Sequence, residues 1–332
     1  MTDLIIHIGL PKCGSTTLQR EVFAREQGYL GTHPSLSRED NLAKQLQQCG
    51  PFGGRQTLSR RGLHRWADRV RAHQKVQWPD VHRLIASDEV LGSKSRLEKR
   101  PIVRLLQYLN DEIWHEGAVR ALIVFRNQAE RLASGYAQGS NSRVNPGQKD
   151  FEAAVVHQLE KPGSLDYAAL LHELDAALGI DNVCPLLLEE TNTEGFWQTL
   201  KDFAGLQMLQ PAEMVTGEGT QNRRRAGVDQ WAISPFDAHF KAKVAVDKPL
   251  NLLWPRDVGA AFRAPLRERL INQVARRYER VYEREAVKPR ETSIQLTSSV
   301  RARVAERVGR SNQALAHRLG RPIEALGYHT QS

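Results

Sequence analysis

The sequence contains few cysteines and no long apolar run. Its three cysteines are Cys13, Cys49 and Cys184 among 332 residues. They are far apart and lack the spacing of zinc ligands, so the sequence predicts neither a disulfide framework nor a metal site, and it favours a reducing compartment. No apolar run approaches the ~20 residues that span a bilayer. No basic stretch precedes a long apolar segment, so we expect a cytoplasmic protein without a secretory signal.

Acidic residues are fewer than basic ones. The chain has 47 Lys and Arg against 38 Asp and Glu, which gives a formal net charge of +9. This balance favours anionic partners, namely nucleotides, nucleic acids, acidic polysaccharides or membrane surfaces, and does not choose among them. The length suits one large α/β domain with insertions or two modest domains.

Short apolar runs alternate with segments of helical spacing. The predicted strands are residues 4–8, 83–87, Val119–Phe125 and 183–188. The predicted helices are residues 18–26, 102–113, 127–138, Tyr167–Leu178, 196–203, 266–282 and 298–319. The run Val119–Phe125 is apolar on both faces, as buried parallel strands are. We therefore predict an α/β fold in which helices cover a parallel sheet like that of P-loop NTPases.

We expect one domain over residues 1–332. Residues 28–80 are predicted to be a helical insertion on the acceptor side, because they are polar and broken by a Gly- and Pro-rich stretch. Residues 207–332 are predicted to form a mostly helical C-terminal extension.

A glycine-bounded turn follows the first predicted strand and precedes a predicted helix. This layout binds phosphate groups, because loop N–H groups and the helix N-terminus converge on the anion. The ATP-type P-loop has a lysine directly after its second glycine. Here that position is Ser15, and the lysine lies inside the loop at Lys12, where it can place a cation on a breaking bond. The residues that we expect to bind the anion are Lys12, Cys13, Gly14, Ser15, Thr16 and Thr17.

A second motif follows the buried strand Val119–Phe125. Arg126 ends this strand, and Ser134 lies eight residues later, about two helical turns on and roughly on the same side of the next helix. Residues at the carboxyl ends of parallel strands face the crevice in which open α/β sheets bind ligands. Arg126 and Ser134 are therefore predicted to bind a second phosphate group, and Asn127 is predicted to cap the helix.

Together the two motifs, P-K-x-G-[ST]-T and R-x7-S, resemble those of the sulfotransferase family. The resemblance implies 3′-phosphoadenosine 5′-phosphosulfate (PAPS) as sulfate donor and 3′-phosphoadenosine 5′-phosphate (PAP) as product. It implies that the Lys12 loop binds the 5′-phosphosulfate, and that Arg126 and Ser134 bind the 3′-phosphate. Arg223, in an arginine run over residues 223–225, is the candidate for a later family contact with the same phosphate.

The sequence is most similar to bacterial members that act on glycans, both around the Lys12 loop and from Ser311 to Tyr328. This similarity implies a hydroxyl acceptor on a carbohydrate or glycolipid. Three positions depart from common family patterns. Cys13 stands where serine is common, Thr17 stands where many members have an adenine-stacking tryptophan, and Leu188 stands where a tyrosine often contacts adenine.

Transfer to a hydroxyl group needs a base that takes its proton. The predicted second strand ends in Asp88 and Glu89, beside the first loop in a parallel sheet. Glycan sulfotransferases often use a glutamate in such a Ser-x-Glu or Ser-Glu context, whereas other members use histidine. We expect Glu89 to be the base and Asp88 to be the second candidate. The candidates ranked after these two are the histidines His82, His33 and His64.

Two other functions are compatible with parts of the sequence. Residues 84–89 loosely resemble a Walker-B strand whose acid holds Mg²⁺, as in a P-loop kinase or ATPase that uses ATP. The absence of a lysine at position 15 argues against this alternative.

The arginine-rich helix over residues 266–282 is compatible with a polyanion-binding protein and with peripheral contact to anionic lipid. We expect no nucleic-acid partner and no bound metal.

Overall fold

The computed structural model describes most of the chain. The described residues are 1–31, 41–49, 59–88, 101–143, 145–160, 165–216, 225–227, 229–234, 237–253, 260–285 and 291–330.

Four parallel strands form the central sheet, in the order β2-β1-β3-β4. They are β1 (Asp3–Ile8), β2 (Arg83–Asp88), β3 (Val119–Phe125) and β4 (Val183–Leu187). In the register of the sheet, Ile8 pairs with Asp88 on one side and with Ile123 on the other. The loop after β1 and the ends of β2 and β3 therefore lie at one edge of the sheet. The predicted α/β class and all four predicted strands are confirmed.

Helices connect the strands and make up most of the C-terminal region, as predicted. In the described ranges they are α1 (Ser15–Thr17), α2 (Leu42–Cys49), α3 (Arg60–Gln77), α4 (Pro101–Tyr108), α5 (Gln128–Gly139), α6 (Gln148–Leu159), α7 (Tyr167–Leu178), α8 (Glu194–Ala204), α9 (Pro211–Thr216), α10 (Ala238–Leu253), α11 (Ala260–Glu285) and α12 (Ser298–Leu319). None of these helices is both long enough and apolar enough to cross a membrane.

The segment after the first loop differs from the regular helix predicted for residues 18–26. The single turn of α1 continues as a π-helix over Leu18–Val22 and a 3₁₀-helix over Phe23–Arg25. Leu18, Val22 and Phe23 are all buried, so packing against the sheet outweighs the local preference for a regular α-helix. Single π turns inside helices are frequent near functional sites.

The described chain divides into two compact units. The first comprises residues 1–131, 159–222 and 302–332, and the second comprises residues 132–158 and 223–301. The first unit contains the parallel sheet and a continuous apolar core around it. The prediction that residues 1–332 form one domain stays a prediction.

The second unit has a small sheet that the sequence analysis did not predict. It consists of three antiparallel strands in the order β5-β6-β7, namely β5 (Arg225–Gly227), β6 (Gln230–Ala232) and β7 (Ser293–Gln295). Strands of three residues are too short to show the alternation of apolar and polar residues by which strands are found in a sequence. Within this unit α10 packs against α11 through an apolar cluster that includes Val246 and Ile271.

Candidate functional site

The loop between β1 and α1 has two residues in the left-handed backbone conformation. Lys12 has φ of 68° and Gly14 has φ of 78°. A Cβ atom at position 14 would lie 2.7 Å from Cδ1 of Leu188, far inside van der Waals contact. Position 14 therefore needs glycine for its backbone conformation, and a side chain there would also displace the end of the Leu188 side chain. Lys12 has no such freedom, because the left-handed conformation costs a residue with a side chain about 1–2 kcal/mol.

Some amide groups of this loop are bonded within the loop itself. The Cys13 N–H donates to the carbonyl of Leu10 over 3.3 Å, and the Thr17 N–H donates to the carbonyl of Gly14 over 3.0 Å. Among the described residues, the amides of Gly14 and Ser15 donate no hydrogen bond. The Ser15 hydroxyl donates to the Leu10 carbonyl over 3.4 Å. At Ser15 it is therefore the N–H, rather than the hydroxyl, that is available to an anion.

Arg126 connects the second predicted motif to this loop. Its Nη1 atom donates to the carbonyl oxygen of Lys12 over 3.3 Å, and its Nη2 atom donates to Oε2 of Glu130 over 2.9 Å. The carbonyl of Arg126 in turn accepts a hydrogen bond from the hydroxyl of Tyr167 over 2.9 Å. The structure thus brings Lys12 and Arg126 together at the carboxyl edge of the sheet.

Asn127 caps α5, as predicted. Its Oδ1 atom accepts hydrogen bonds from the N–H groups of Ala129 and Glu130, at 3.1 and 3.2 Å. Its own N–H donates to Oε1 of Glu189 over 2.7 Å, and its Nδ2 atom donates to the carbonyl of Gly327. The turn that carries Arg126 is therefore held from the end of β4 and from the C-terminal segment.

Buried ionisable groups lie in the loop between β1 and α1 and next to it. Burial raises the pKa of the Cys13 thiol to about 11, although the neighbouring cations Arg131, Arg126 and Lys12 oppose this shift. Burial also raises the pKa of Glu189, although its carboxylate accepts hydrogen bonds from the amide of Asn127 and from a tyrosine hydroxyl. The cations Arg131, Arg126 and Lys12 give the loop a positive environment that favours anions.

Two tyrosines, Tyr167 and Tyr328, form hydrogen bonds with these ionisable groups. The sequence analysis did not single them out as site residues. The hydroxyl of Tyr328 donates to Oε2 of Glu189 over 3.0 Å, and Nη1 of Arg131 donates to the hydroxyl of Tyr167 over 3.3 Å. Burial raises the pKa of both tyrosines, so both hydroxyls keep their protons at neutral pH. The similarity of residues 311–328 to glycan-acting proteins was the one sequence signal that pointed to Tyr328.

The second strand reaches the same edge of the sheet. Ser87 stands opposite His7 in the register of β1 and β2, and the backbone of Asp88 stands opposite Ile8. The Oγ atom of Ser87 lies 2.7 Å from Nδ1 of His7 and accepts a hydrogen bond from Nε2 of Gln19 over 3.0 Å. Asp88 therefore ends its strand beside the strand from which the loop starts.

Several predicted site residues lie outside the described parts of the chain. They are Glu89, Arg223 and His33, together with the side chain of Asp88. His82 is exposed and precedes β2, at the edge of the sheet opposite the loop, and His64 is exposed on α3. Of these two histidines, His82 therefore lies away from the carboxyl edge of the sheet.

Ser134 is half-buried on α5, in the part of that helix that belongs to the second unit. Its participation in a site with Arg126 stays a prediction. Within the described ranges, no group of three or more His, Cys, Asp or Glu side chains is arranged to bind a metal ion.

Comparison with known proteins assigns a family to the chain. Residues 2–230 match the family model described as the sulfotransferase domain.

Similar proteins were found among curated sequences and solved structures. The sulfate/thiosulfate import ATP-binding proteins CysA of Yersinia pseudotuberculosis serotype I (strain IP32953) and Yersinia pestis are each 26% identical over 173 residues. These residues make up 51% of this chain and 46% of the relatives, so the chain spans about half the length of the curated relatives it matches. The sulfotransferase domain from the Synechococcus PCC 7002 olefin synthase is 13% identical, with a TM-score of 0.35, over 84% of this chain and 94% of that one.

Proposed function

The chain belongs to the sulfotransferase domain family, because the family model covers residues 2–230, and from this premise we propose that it transfers a sulfuryl group from PAPS to a hydroxyl group of an acceptor. Family membership supports sulfuryl transfer in general. The observation that carries the finer proposal is the hydrogen bond from Arg126 to the carbonyl of Lys12. It joins the two motifs that the family resemblance assigns to the two ends of one donor molecule.

The loop is suited to the 5′-phosphosulfate of the donor. The N–H groups of Gly14 and Ser15 are available to an anion, and a side chain at position 14 would collide with Leu188. Loop amides of this kind bind phosphate and sulfate groups without a metal. Cys13, Thr16 and Thr17 complete the set that we propose to contact this end of the donor.

Arg126 is suited to the 3′-phosphate. Its guanidinium has five N–H donors, of which two donate to Lys12 and Glu130. Among the described residues the other three have no partner, so they are available to a phosphate. We propose Ser134 and Arg223 as further ligands of the same group, on the basis of the family resemblance.

Lys12 supplies the charge that the transfer step requires. When the bond from sulfur to the bridging oxygen breaks, negative charge grows on the leaving phosphate. A cation held at that oxygen stabilises the transition state more than the ground state. In this scheme Lys12 does the work that Mg²⁺ does in kinases, and no metal takes part.

We propose Glu89 as the base that takes the proton of the acceptor hydroxyl, with Asp88 as the second candidate. The support is positional, since β2 ends beside β1 at the carboxyl edge of the sheet. We further propose a carbohydrate or glycolipid acceptor, on the basis of the resemblance to family members that act on glycans. An ATP-dependent P-loop enzyme is not favoured, because Ser15 stands at the lysine position of the ATP loop.

The test of transfer is incubation with radiolabelled PAPS and a panel of glycans, glycolipids and phenols. Lys12→Ala should lower kcat by about 10²–10³-fold, the usual loss for one transition-state donor. Lys44→Ala removes an exposed lysine on α2 and is the matched control. Turnover of Lys12→Ala equal to that of Lys44→Ala would remove Lys12 from the mechanism.

The test of the base compares Glu89→Gln and Asp88→Asn in the same assay. The variant that lacks the base should lose transfer while its affinity for PAP, measured by titration calorimetry, stays that of the wild type. Glu112→Gln, which neutralises an exposed carboxylate, is the control for charge. If both variants keep wild-type kcat, the base lies elsewhere.

A further inference from the structure

The backbone of Lys12 is held in a conformation that a lysine rarely adopts. Among the described residues, only Lys12 and Asp229 have a positive φ without being glycine. Residues with side chains avoid this region, and a residue held there depends on its neighbours to maintain it. The peptide of Lys12 therefore needs an interaction that fixes it.

Arg126 provides such an interaction. One of its terminal nitrogens donates to the carbonyl oxygen of Lys12, and the other donates to the carboxylate of Glu130. The side chain of Arg126 is only 15% exposed, and its carbonyl is fixed by the hydroxyl of Tyr167. The guanidinium is thus anchored before it contacts any ligand, and its anchor on one side is the peptide of Lys12.

We propose that Arg126 is a positioning residue for the Lys12 loop in addition to its role as a ligand of the 3′-phosphate. The inference rests on the proposed function, since it assumes that a 3′-phosphorylated adenosine nucleotide binds at Arg126. A 3′-phosphate bound by the remaining N–H groups of Arg126 steadies the guanidinium. The steadied guanidinium in turn holds the carbonyl of Lys12, and with it the loop amides that bind the 5′ group. Recognition of the two ends of the nucleotide is thereby coupled.

The test compares two nucleotides that differ only in the 3′-phosphate. PAP has phosphates at the 3′ and 5′ positions, whereas 5′-AMP has the 5′-phosphate alone. If Arg126 only binds the 3′-phosphate, its replacement changes the affinity for PAP and leaves that for 5′-AMP unchanged. If Arg126 also positions the loop, Arg126→Ala weakens the binding of 5′-AMP by about five- to tenfold, as the loss of one ordinary hydrogen bond does.

Two further variants separate hydrogen bonding from charge. Arg126→Lys keeps the positive charge but lacks the planar fork that reaches two acceptors at once. We expect it to bind 5′-AMP as weakly as Arg126→Ala does, while retaining part of the affinity for PAP. Ser134→Ala removes a hydroxyl assigned to the 3′-phosphate and should weaken PAP binding alone. Circular dichroism and thermal unfolding check each full-length variant, and Arg126→Lys carries the test if Arg126→Ala does not fold.

The outcomes are distinguishable. Wild-type affinity for 5′-AMP in both Arg126 variants, with weakened PAP binding, overturns the positioning role and leaves the proposed function intact. Unchanged PAP affinity in Arg126→Ala overturns the assignment of the 3′-phosphate, and the coupling falls with it. Weakened binding of 5′-AMP in both variants, with unchanged binding in Ser134→Ala, supports the inference.

Discussion

The Nδ1 atom of His7 lies 2.7 Å from the Oγ atom of Ser87, and the two residues join neighbouring parallel strands. Gln19, from the π-helical segment after the loop, donates to the same Oγ atom over 3.0 Å. The ring of His7 is fully buried and packs edge-on against Phe23. These contacts fix β1, β2 and the segment after the loop relative to one another.

The first prediction concerns the stability of the protein in acid. Burial lowers the pKa of His7 to about 3, against 6.5 in an unfolded chain. Because the folded state disfavours the protonated ring, stability is fully present above pH 6.5 and is lost as the pH falls towards 3. His7→Asn keeps an amide that can bond to Ser87 and has no titratable ring. Below pH 6.5 the free energy of unfolding should therefore fall less steeply for His7→Asn than for the wild type.

Urea unfolding at a series of pH values measures this difference. His115→Asn, which replaces a histidine that is exposed, should follow the wild-type curve. Identical slopes for His7→Asn and the wild type between pH 6.5 and 4 would contradict the assignment of a buried neutral ring.

The second prediction concerns Gly14. An alanine there must adopt φ of 78°, and its Cβ would meet Leu188 at 2.7 Å. The left-handed conformation alone costs about 1–2 kcal/mol, and the steric contact adds to it. Gly14→Ala should lower both the melting temperature and the affinity for PAP.

Gly195→Ala is the matched control for Gly14→Ala. Gly195 lies in the first turn of α8, and a Cβ there meets no atom within 4 Å. It should be neutral or stabilising by up to about 1 kcal/mol. The loss that Gly14→Ala causes should be smaller when it is introduced into Leu188→Ala than into the wild type, because the steric contact is then absent. Equal losses on the two backgrounds would show that strain in the backbone accounts for the whole effect.

The sequence predicts those features that depend on local pattern. The runs at Val119–Phe125 and 183–188 are apolar on both faces, because helices cover both sides of the sheet, and both were placed within one residue of the observed strands. Lys12 follows β1 and Arg126 follows β3. Since parallel strands end at a common edge of the sheet, the sequence also predicts that these two residues lie near each other.

The contacts that hold these residues could not be predicted in the same way. Tyr328 and Glu189 are 139 residues apart in the chain, and no local pattern relates them. The left-handed conformation of Lys12 is equally invisible in the sequence, since glycine, and not lysine, is the residue that signals a positive φ. Such features depend on the assembled core rather than on the order of residues.

The third prediction concerns Glu189. Burial raises its pKa above the ordinary 4.5, so the folded state favours the protonated acid. Its contribution to stability is fully present below pH 4.5 and is lost as the pH rises through the folded pKa. Relative to Glu189→Gln, which does not titrate, the wild type should become less stable as the pH rises from 4.5. Glu306→Gln, an exposed site on α12, should show no such trend in urea unfolding, and a parallel pair of curves for Glu189→Gln and wild type would contradict a raised pKa.

The last prediction concerns the reactivity of Cys13. Three cations surround its thiol, and in many proteins such an environment produces a reactive thiolate. Here the side chain is only 1% exposed, and burial outweighs the cations, so the pKa rises to about 11. At pH 8 only about one thiol in a thousand is ionised, as follows from a pKa three units above the pH. Iodoacetamide should therefore leave Cys13 unmodified in the folded protein and alkylate it in urea, as peptide mass spectrometry can measure. Burial raises the pKa of Cys184 to about 12, so Cys184 should also stay unmodified in the folded protein and be alkylated in urea. Rapid alkylation of Cys13 alone in the folded protein would show that the cations outweigh burial.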